Sequence, residues 1–455
     1  MELKVNQQTG EILMRIVMFT LILSSMSVLM FIYVLPDISK EFHLSLSQVS
    51  WLSSSYGIIY AIGTVTYGKL ADRFQLKNLL TFGLVIFAIG SLIGLLSQTF
   101  WMALIGRCMQ AIGAGAIPAT ATLIPVRYFP PEKRGRALGM MAVGLALGSA
   151  LGPVVSALIA SFANWRWLFV VPMLILLTLP FYRKYLEDHT SKSHDKFDWT
   201  GSALLGVSVV FFMLSVTNQI WWLLVVAFLS IALFVIRIRV AKQPFIPAEL
   251  FSNNRYTLYL VISFLINGIG TSLYFLTPIF LSEVQKLSTF WIGFAMVPAT
   301  VASAILGRQG GKLADSKGNA SLYFLASSLL VICFVLLSSF IGSPAWLVAI
   351  ILVLGNVGQS FMIIVMLNSA SQTLSKDQVG VGMGILQMLN FISQGVGTAI
   401  YSSVVDTGST VHWNPISMNS IGYVYSNIFL VLAVLHIFIF FVYYYQFGRV
   451  KSNSY

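Results

Sequence analysis

Charge is scarce in this chain. Only 9% of its 455 residues are Asp, Glu, Lys or Arg, against roughly 25% in an ordinary soluble domain. That scarcity excludes a water-solvated globular surface. With 57% hydrophobic residues and a mean hydropathy of +0.84, no soluble core could absorb the apolar excess, so the bilayer is the expected solvent. Cysteine is scarcer still. Cys108 and Cys333 are the only two, they lie in apolar segments far apart in the chain, and they exclude a disulfide scaffold. No His/Glu/Cys cluster points to catalysis or to a metal. No Gly-rich phosphate loop points to ATP. Neither an enzyme nor a cofactor is therefore expected.

What the chain has instead is long apolar runs. A helical span needs about 20 of them, and fourteen segments qualify, from 14–35 to 424–446. The first ends in Pro36-Asp37 without a small-residue cleavage site, so it reads as a retained membrane helix and not as a signal peptide. The fold class expected is an all-α, multi-pass integral membrane protein. An even span count puts both termini on one side. With that side taken as inside, Lys40, Arg166 and Lys286 alone fall outside, Arg107 falls within a span, and every other Lys and Arg falls inside. The positive-inside rule predicts this asymmetry. It also accounts for the net charge of +12 as topology, with no need for a nucleic acid.

A pentad occurs twice. Gly68-Lys69-Leu70-Ala71-Asp72 returns 243 residues later as Gly311-Lys312-Leu313-Ala314-Asp315, each copy in an inside loop after the second and the tenth span. Duplicated halves that rock about a central site are a common transporter design. The register predicts an N-terminal six-helix bundle over 1–182 and a C-terminal six-helix bundle over 257–455. The remaining stretch, 183–256, is read as linkers around an inserted helix pair.

Gly68, Asp72, Arg73 and Lys77 have a local physical logic. Gly68 allows close helix approach, Asp72 can accept hydrogen bonds from a facing helix N-terminus, and Arg73 and Lys77 can pair with acids. A solvated basic loop would explain either copy alone; two copies in register, with Gly311 and Asp315 in the second, favour an ionic latch of one access state. Arg107-x-x-Gln110-x-x-Gly113 puts a cation inside the fourth span, which costs several kcal/mol and marks a functional residue by default. In the fifth span, Gly139, Gly148 and Gly152 precede or join a small-residue stripe suited to tight packing, and Pro153 favours a kink.

These motifs resemble those of the major facilitator superfamily: its loop 2–3 signature, its arginine motif and its antiporter motif. Gln75 departs from the first, where a Gly is usual, while the second copy keeps Gly318. Leu35-Pro36-Asp37-Ile38, Trp165-Arg166-Trp167 and Phe197-Asp198-Trp199-x-Gly201 extend the likeness over nearly the whole chain. Together with fourteen spans they resemble the fourteen-helix drug:proton antiporters, which include the tetracycline, quaternary-ammonium and quinolone efflux proteins of Gram-positive bacteria. The resemblance implies a proton-driven multidrug exporter in a bacterial cytoplasmic membrane, with both termini cytoplasmic. Its partners would be hydrophobic drugs, protons and the lipid bilayer. It also implies that Arg107 takes part in proton coupling. An exporter of a native lipid or metabolite and a solute:proton symporter remain alternatives; a membrane receptor or enzyme would leave the duplicated latches without a reason.

The proton carrier is harder to place. Many members of that family carry an Asp in the first span where this chain has Ser27, and none of the 15 acids lies securely in mid-span. Asp37, Glu283 and Asp406, near the outer ends, are the candidates, since partial desolvation raises a carboxyl pKa. For Asp37 the plain reading as a helix cap stands equally. Candidate cavity residues, by helix position, are Ser27, Tyr56, Gln110, Asn267, Tyr274, Gln387 and Asn390. Without a central carboxylate, neutral, zwitterionic or monovalent amphiphiles suit the site better than multivalent cations.

Overall fold

A computed structural model describes residues 7–448 except 45, 50, 72, 131–132, 187–197, 219, 242, 288, 376–377, 410, 412 and 417–421. Among the described residues there is no strand, and the long helices follow the apolar runs. They are α1 (Gln7–Met30), α2 (Trp51–Leu70), α3 (Leu76–Leu95), α4 (Phe100–Tyr128), α5 (Arg134–Phe162), α6 (Trp165–Tyr185) and α7 (Trp199–Asn218). After these come α8 (Trp222–Val240), α9 (Asn254–Glu283), α10 (Thr289–Lys317), α11 (Asn319–Ser339), α12 (Ala345–Gln372), α13 (Val379–Thr407) and α14 (Tyr423–Tyr443). Among the described residues, thirteen segments are long and apolar enough to cross a membrane. The exception is α2, a 20-residue helix that carries Ser53, Ser54 and Ser55 in a row. The protein is an all-α, multi-pass membrane protein.

Polar side chains start several helices by taking orphan N–H groups of the first turn. Thr99 accepts from Met102 N at 3.3 Å before α4, and Asn164 accepts from Arg166 N at 3.0 Å before α6. Asp198 accepts from Gly201 N at 3.0 Å before α7. Two equivalent turns differ in backbone. Gln75 leads into α3 at φ −62°, ψ 129°, which any residue adopts. Gly318 leads into α11 at φ 85°, in the left-handed region that favours glycine. The departure at Gln75 therefore carries no backbone cost.

The chain packs as two compact units. The first comprises Met1–Pro131, Leu147–Thr257 and Ala370–Ile392; the second comprises Glu132–Ala146, Leu258–Ser369 and Ser393–Tyr455. Helices α5 and α13 each contribute to both. In the first unit, glycines let backbones touch. A methyl group on Gly90 would meet Gly106 O of α4 at 2.6 Å, and one on Gly63 of α2 would meet Gly115 Cα at 3.3 Å. Such small-residue contact replaces the hydrophobic drive that lipid cannot supply. The pair α7–α8 lies against α2 through α7. Its ends are held by Asp198, which accepts from Arg237 Nη2 at 3.1 Å and from Phe245 N at 3.2 Å. Burial raises the Asp198 carboxyl pKa, and these bonds outweigh it, holding it below the ordinary value. Trp222, Phe228 and Leu229 are exposed on α8, as expected of a helix whose solvent is lipid.

Candidate functional site

In the first unit, four of the expected cavity or coupling residues come together. Arg107 of α4 is fully buried. Its Nη1 donates to Ser27 O at 3.2 Å and to Gln110 Oε1 at 3.0 Å, and reaches Ser27 Oγ at 3.5 Å. Its Nε donates to Leu52 O at 3.3 Å. The guanidinium is sandwiched between two rings, 4.3 Å from the Phe31 centroid and 4.1 Å from that of Tyr56. Gln110 is fixed in turn by donating from Nε2 to Ser91 Oγ at 2.7 Å. Helices α1, α2 and α3 therefore all orient this one cation.

Among the described residues, however, Nη2 of Arg107 has no hydrogen-bond partner, and neither do the buried hydroxyls of Ser24 and Tyr56. Among the described residues no carboxylate pairs with Arg107. Burying an ion costs several kcal/mol even after relaxation, and each ring face returns about 0.5–2 kcal/mol. The site is electrostatically incomplete. Sequence reasoning missed Phe31, Ser24 and the Leu52 carbonyl, because backbone acceptors and ring faces leave no motif.

The other four cavity candidates are not gathered there. Gln387 and Asn390 sit one turn apart on α13 in the first unit, with Asn390 Nδ2 3.4 Å from Gln387 Oε1. Asn267 and Tyr274 lie on α9 in the second unit, and Asn267 Nδ2 donates along its own helix to Ser263 O at 3.1 Å. A sequence signal existed for a further pair. Gly355-Asn356-x-x-Gln359 on α12 mirrors Gly106-Arg107-x-x-Gln110 on α4. Asn356 and Gln359 are buried, and Gln359 Oε1 has no hydrogen-bond partner. The neutral Asn356 thus stands where the first half has its cation.

The repeated pentads each meet a helix start. In the second unit, Asp315 at the end of α10 accepts the backbone N–H groups of Gly135 at 2.8 Å and Arg136 at 2.9 Å. These are orphan donors of the first turn of α5, where the helix dipole also favours an anion. Glycines bring the backbones together: a methyl on Gly135 would meet Gly311 O at 2.8 Å, and one on Gly139 would meet Gly307 O at 2.7 Å. In the first unit, Gly68 plays the matching part. A methyl there would lie 3.5 Å from Gly384 Cα of α13, and one on Gly384 would meet Thr64 O at 3.0 Å. Asp72 lies outside the described residues, Arg73 is exposed and Lys77 is half-buried.

The remainder of α5 belongs to the first unit, where its small residues lie on α1. A methyl on Gly148 would overlap Ser25 Oγ and Ile22 O, one on Gly152 would meet Leu29 Cβ at 3.1 Å, and Ser156 Oγ donates to Met30 O at 2.7 Å. Pro153 is on α5, and its side chain lies outside the description.

Of the candidate proton carriers, Asp37 is exposed in the first turn of the short helix Leu35–Phe42, with Pro36 beside it. It borders a small open cleft of about 190 Å³ with Glu41, Asn164 and Trp165. Glu41 is the better-tied acid there. It accepts from Trp165 Nε1 at 2.6 Å and from Arg166 Nη1 at 2.6 Å. Burial raises its carboxyl pKa, and those bonds outweigh it, holding it below the ordinary value. Glu283, at the end of α9, accepts a short hydrogen bond from the Tyr425 hydroxyl of α14. Asp406 is on α13, and its side chain lies outside the description. His436 is fully buried on α14 beside Phe334.

Comparison with known proteins places this architecture. The family model described as Major Facilitator Superfamily matches residues 17–398. The chain is 31% identical over 335 residues to Multidrug resistance protein 3 of Bacillus subtilis, a match covering 70% of this chain and 65% of that relative. It is 26% identical to the riboflavin transporter RibZ of Clostridioides difficile, covering 81% of this chain and 82% of the relative. It is also 26% identical to the lincomycin resistance protein LmrB of Listeria monocytogenes, with 83% of each chain covered. Among solved structures, the human organic anion transporter MFSD10 shares the fold with a TM-score of 0.67 at 16% identity, covering 95% of this chain and 99% of that one. The proton:xylose symporter XylE shares it with a TM-score of 0.65 at 14% identity, covering 97% and 96%. Duplicated pentads, glycine-packed helices and a family match over most of the chain lead to one conclusion: the chain belongs to the Major Facilitator Superfamily, and it is a multi-pass membrane transporter and not an enzyme.

Proposed function

We propose that this chain exports hydrophobic or amphiphilic drugs in exchange for protons across a bacterial cytoplasmic membrane, with both termini cytoplasmic. The observation that carries the reading is the Asp315 cap on α5. Two hydrogen bonds and a glycine-to-glycine seam join α10 to the helix that bears the antiporter-like stripe. A contact of this kind, made of charge-assisted bonds at a helix end, holds one access state and must part in the other. The halves 1–182 and 257–455 would be the moving pair, and 183–256 an insertion beside them. The proton gradient would supply the drive, with no cofactor. Support for drugs comes from relatives named for multidrug and lincomycin resistance.

For the proton, Glu283 is the acid we favour among Asp37, Glu283 and Asp406, because the Tyr425 hydroxyl is positioned to follow its charge state. Arg107 would bias coupling through its charge. Reconstituted vesicles with an imposed pH gradient test the reading: addition of a transported drug should release protons from the lumen. A broad drug panel that moves no protons would rule it out. A second reading, export of a native metabolite, is favoured by the relative named a riboflavin transporter; in the same vesicles, transport of riboflavin or a comparable metabolite with no drug transport would support it.

A further inference from the structure

We propose that the Arg107 site binds a singly charged anionic group, supplied by a carboxylate of the transported molecule or by an inorganic halide. The inference rests on the transport reading above and names a substrate chemistry for it. A guanidinium has five N–H donors. Nε and Nη1 of Arg107 are engaged by Leu52 O, Ser27 and Gln110, while Nη2 meets no acceptor among the described residues although the residue is fully buried. Every acceptor in contact is neutral, and the two flanking aromatic faces only soften the charge.

Ser27 explains the vacancy in charge. It lies directly on Arg107, its carbonyl and hydroxyl 3.2 and 3.5 Å from Nη1. A carboxylate at that position would neutralise the guanidinium internally; the hydroxyl does not. Tyr56, whose ring covers Arg107 at 4.1 Å, has a buried hydroxyl that makes no hydrogen bond of ordinary geometry among the described residues, with the Ser24 and Ser27 hydroxyls as its polar neighbours. An anion at Nη2 would find hydroxyl donors beside a planar cation that binds carboxylates through paired bonds. In the second half the matching motif carries the neutral Asn356 in the position of the cation. The demand for an anion is therefore confined to one side of the pseudo-repeat. Because the site is closed over Arg107, the ligand enters when the helices part during alternating access.

The test uses the full chain in lipid nanodiscs, in sulfate buffer, with the thermal unfolding midpoint as readout. The probes are naphthaleneacetate, its methyl ester and chloride. Naphthaleneacetate should raise the midpoint while the ester does not, which assigns the carboxylate source; protection by chloride alone assigns the halide. Ser27→Asp supplies an internal counterion and should weaken the protective anion on the order of tenfold or more, while the variant itself remains folded. Arg107→Gln should remove protection, and Arg107→Lys should retain part of it. Protection by ester and acid alike, or undiminished protection in Ser27→Asp, would overturn the proposal, as would no protection by either anion. Proton flux in vesicles is read separately. Anion binding without drug-dependent flux would defeat antiport and leave this site standing; flux without an anion effect would do the reverse.

Discussion

Asp315 closes the first turn of a helix far from it in sequence: its Oδ1 accepts the backbone N–H of Gly135 at 2.8 Å. The second oxygen takes Arg136 N at 2.9 Å, so one carboxylate from α10 satisfies two orphan donors of α5. The arrangement is a helix cap delivered in trans, which makes the start of α5 depend on the position of α10.

Removing that carboxylate loosens the contact by a predictable amount. Asp315→Ala should cost about 1–2 kcal/mol, the usual value of a lost N-cap, and Asp315→Asn less because it keeps an acceptor. A cysteine at Ala137, which is 1% exposed, placed in a chain without Cys108 and Cys333, reports the effect. Thiol labelling should speed up in Asp315→Ala; unchanged labelling would show that the cap does not hold this end closed.

Glycines on the two sides of the same argument should behave oppositely. Gly148→Val forces a side chain into Ser25 Oγ and the Ile22 carbonyl, and overpacking of this sort costs about 1–3 kcal/mol. Gly57 on α2 has nothing within 4 Å of an added methyl, so Gly57→Ala should be tolerated and gain up to about 1 kcal/mol of helix propensity. Thermal unfolding of the purified variants separates them.

Acid should release the clamp at Glu41. Its pKa is held below the ordinary 4.5 by Trp165 and Arg166, so its contribution is present above that value and is lost as pH falls through the lower, folded one. The melting difference between wild type and Glu41→Gln should therefore be present at neutral pH and vanish in acid. Partial exposure keeps the effect small. A difference that grows on acidification contradicts the assignment.

Coupling should fail at Glu283 before it fails at Asp37. Glu283→Gln is expected to abolish drug-dependent proton release, Tyr425→Phe to weaken it by removing the hydroxyl that donates to Glu283, and Asp37→Asn to leave release intact, because Asp37 is solvent-exposed at the head of a short helix. Proton flux in vesicles measures all three, alongside Asp406→Asn. Full release in Glu283→Gln would remove it as carrier.

Much of this molecule was legible beforehand in physical terms. Apolar runs near 20 residues become helices because lipid leaves backbone groups no other partner, so fourteen segments anticipated the long helices, most of them to within a few residues; α10 instead runs on from 308 to Lys317, which makes the second pentad helical and not a loop. The least apolar, α2, still forms, since it buries Leu52, Tyr56, Ile58 and Tyr60 within the bundle. The Trp165-Arg166 and Asp198-x-x-Gly201 motifs carried their own reason: the first pair clamps Glu41 and the second caps α7.

The sequence by itself determined the class, the span lengths, the charge asymmetry and the duplication, because each follows from local composition and repeats. It also placed a cation in the fourth span, and beside the family it resembles it showed Ser27 where many members have a carboxylate. Only the tertiary structure decided that these two meet, that Arg107 is left with an unpartnered nitrogen between two rings, and that Asp315 caps α5. Those relations join residues far apart in the chain, through backbone carbonyls, N–H groups and ring faces that every sequence contains and none advertises.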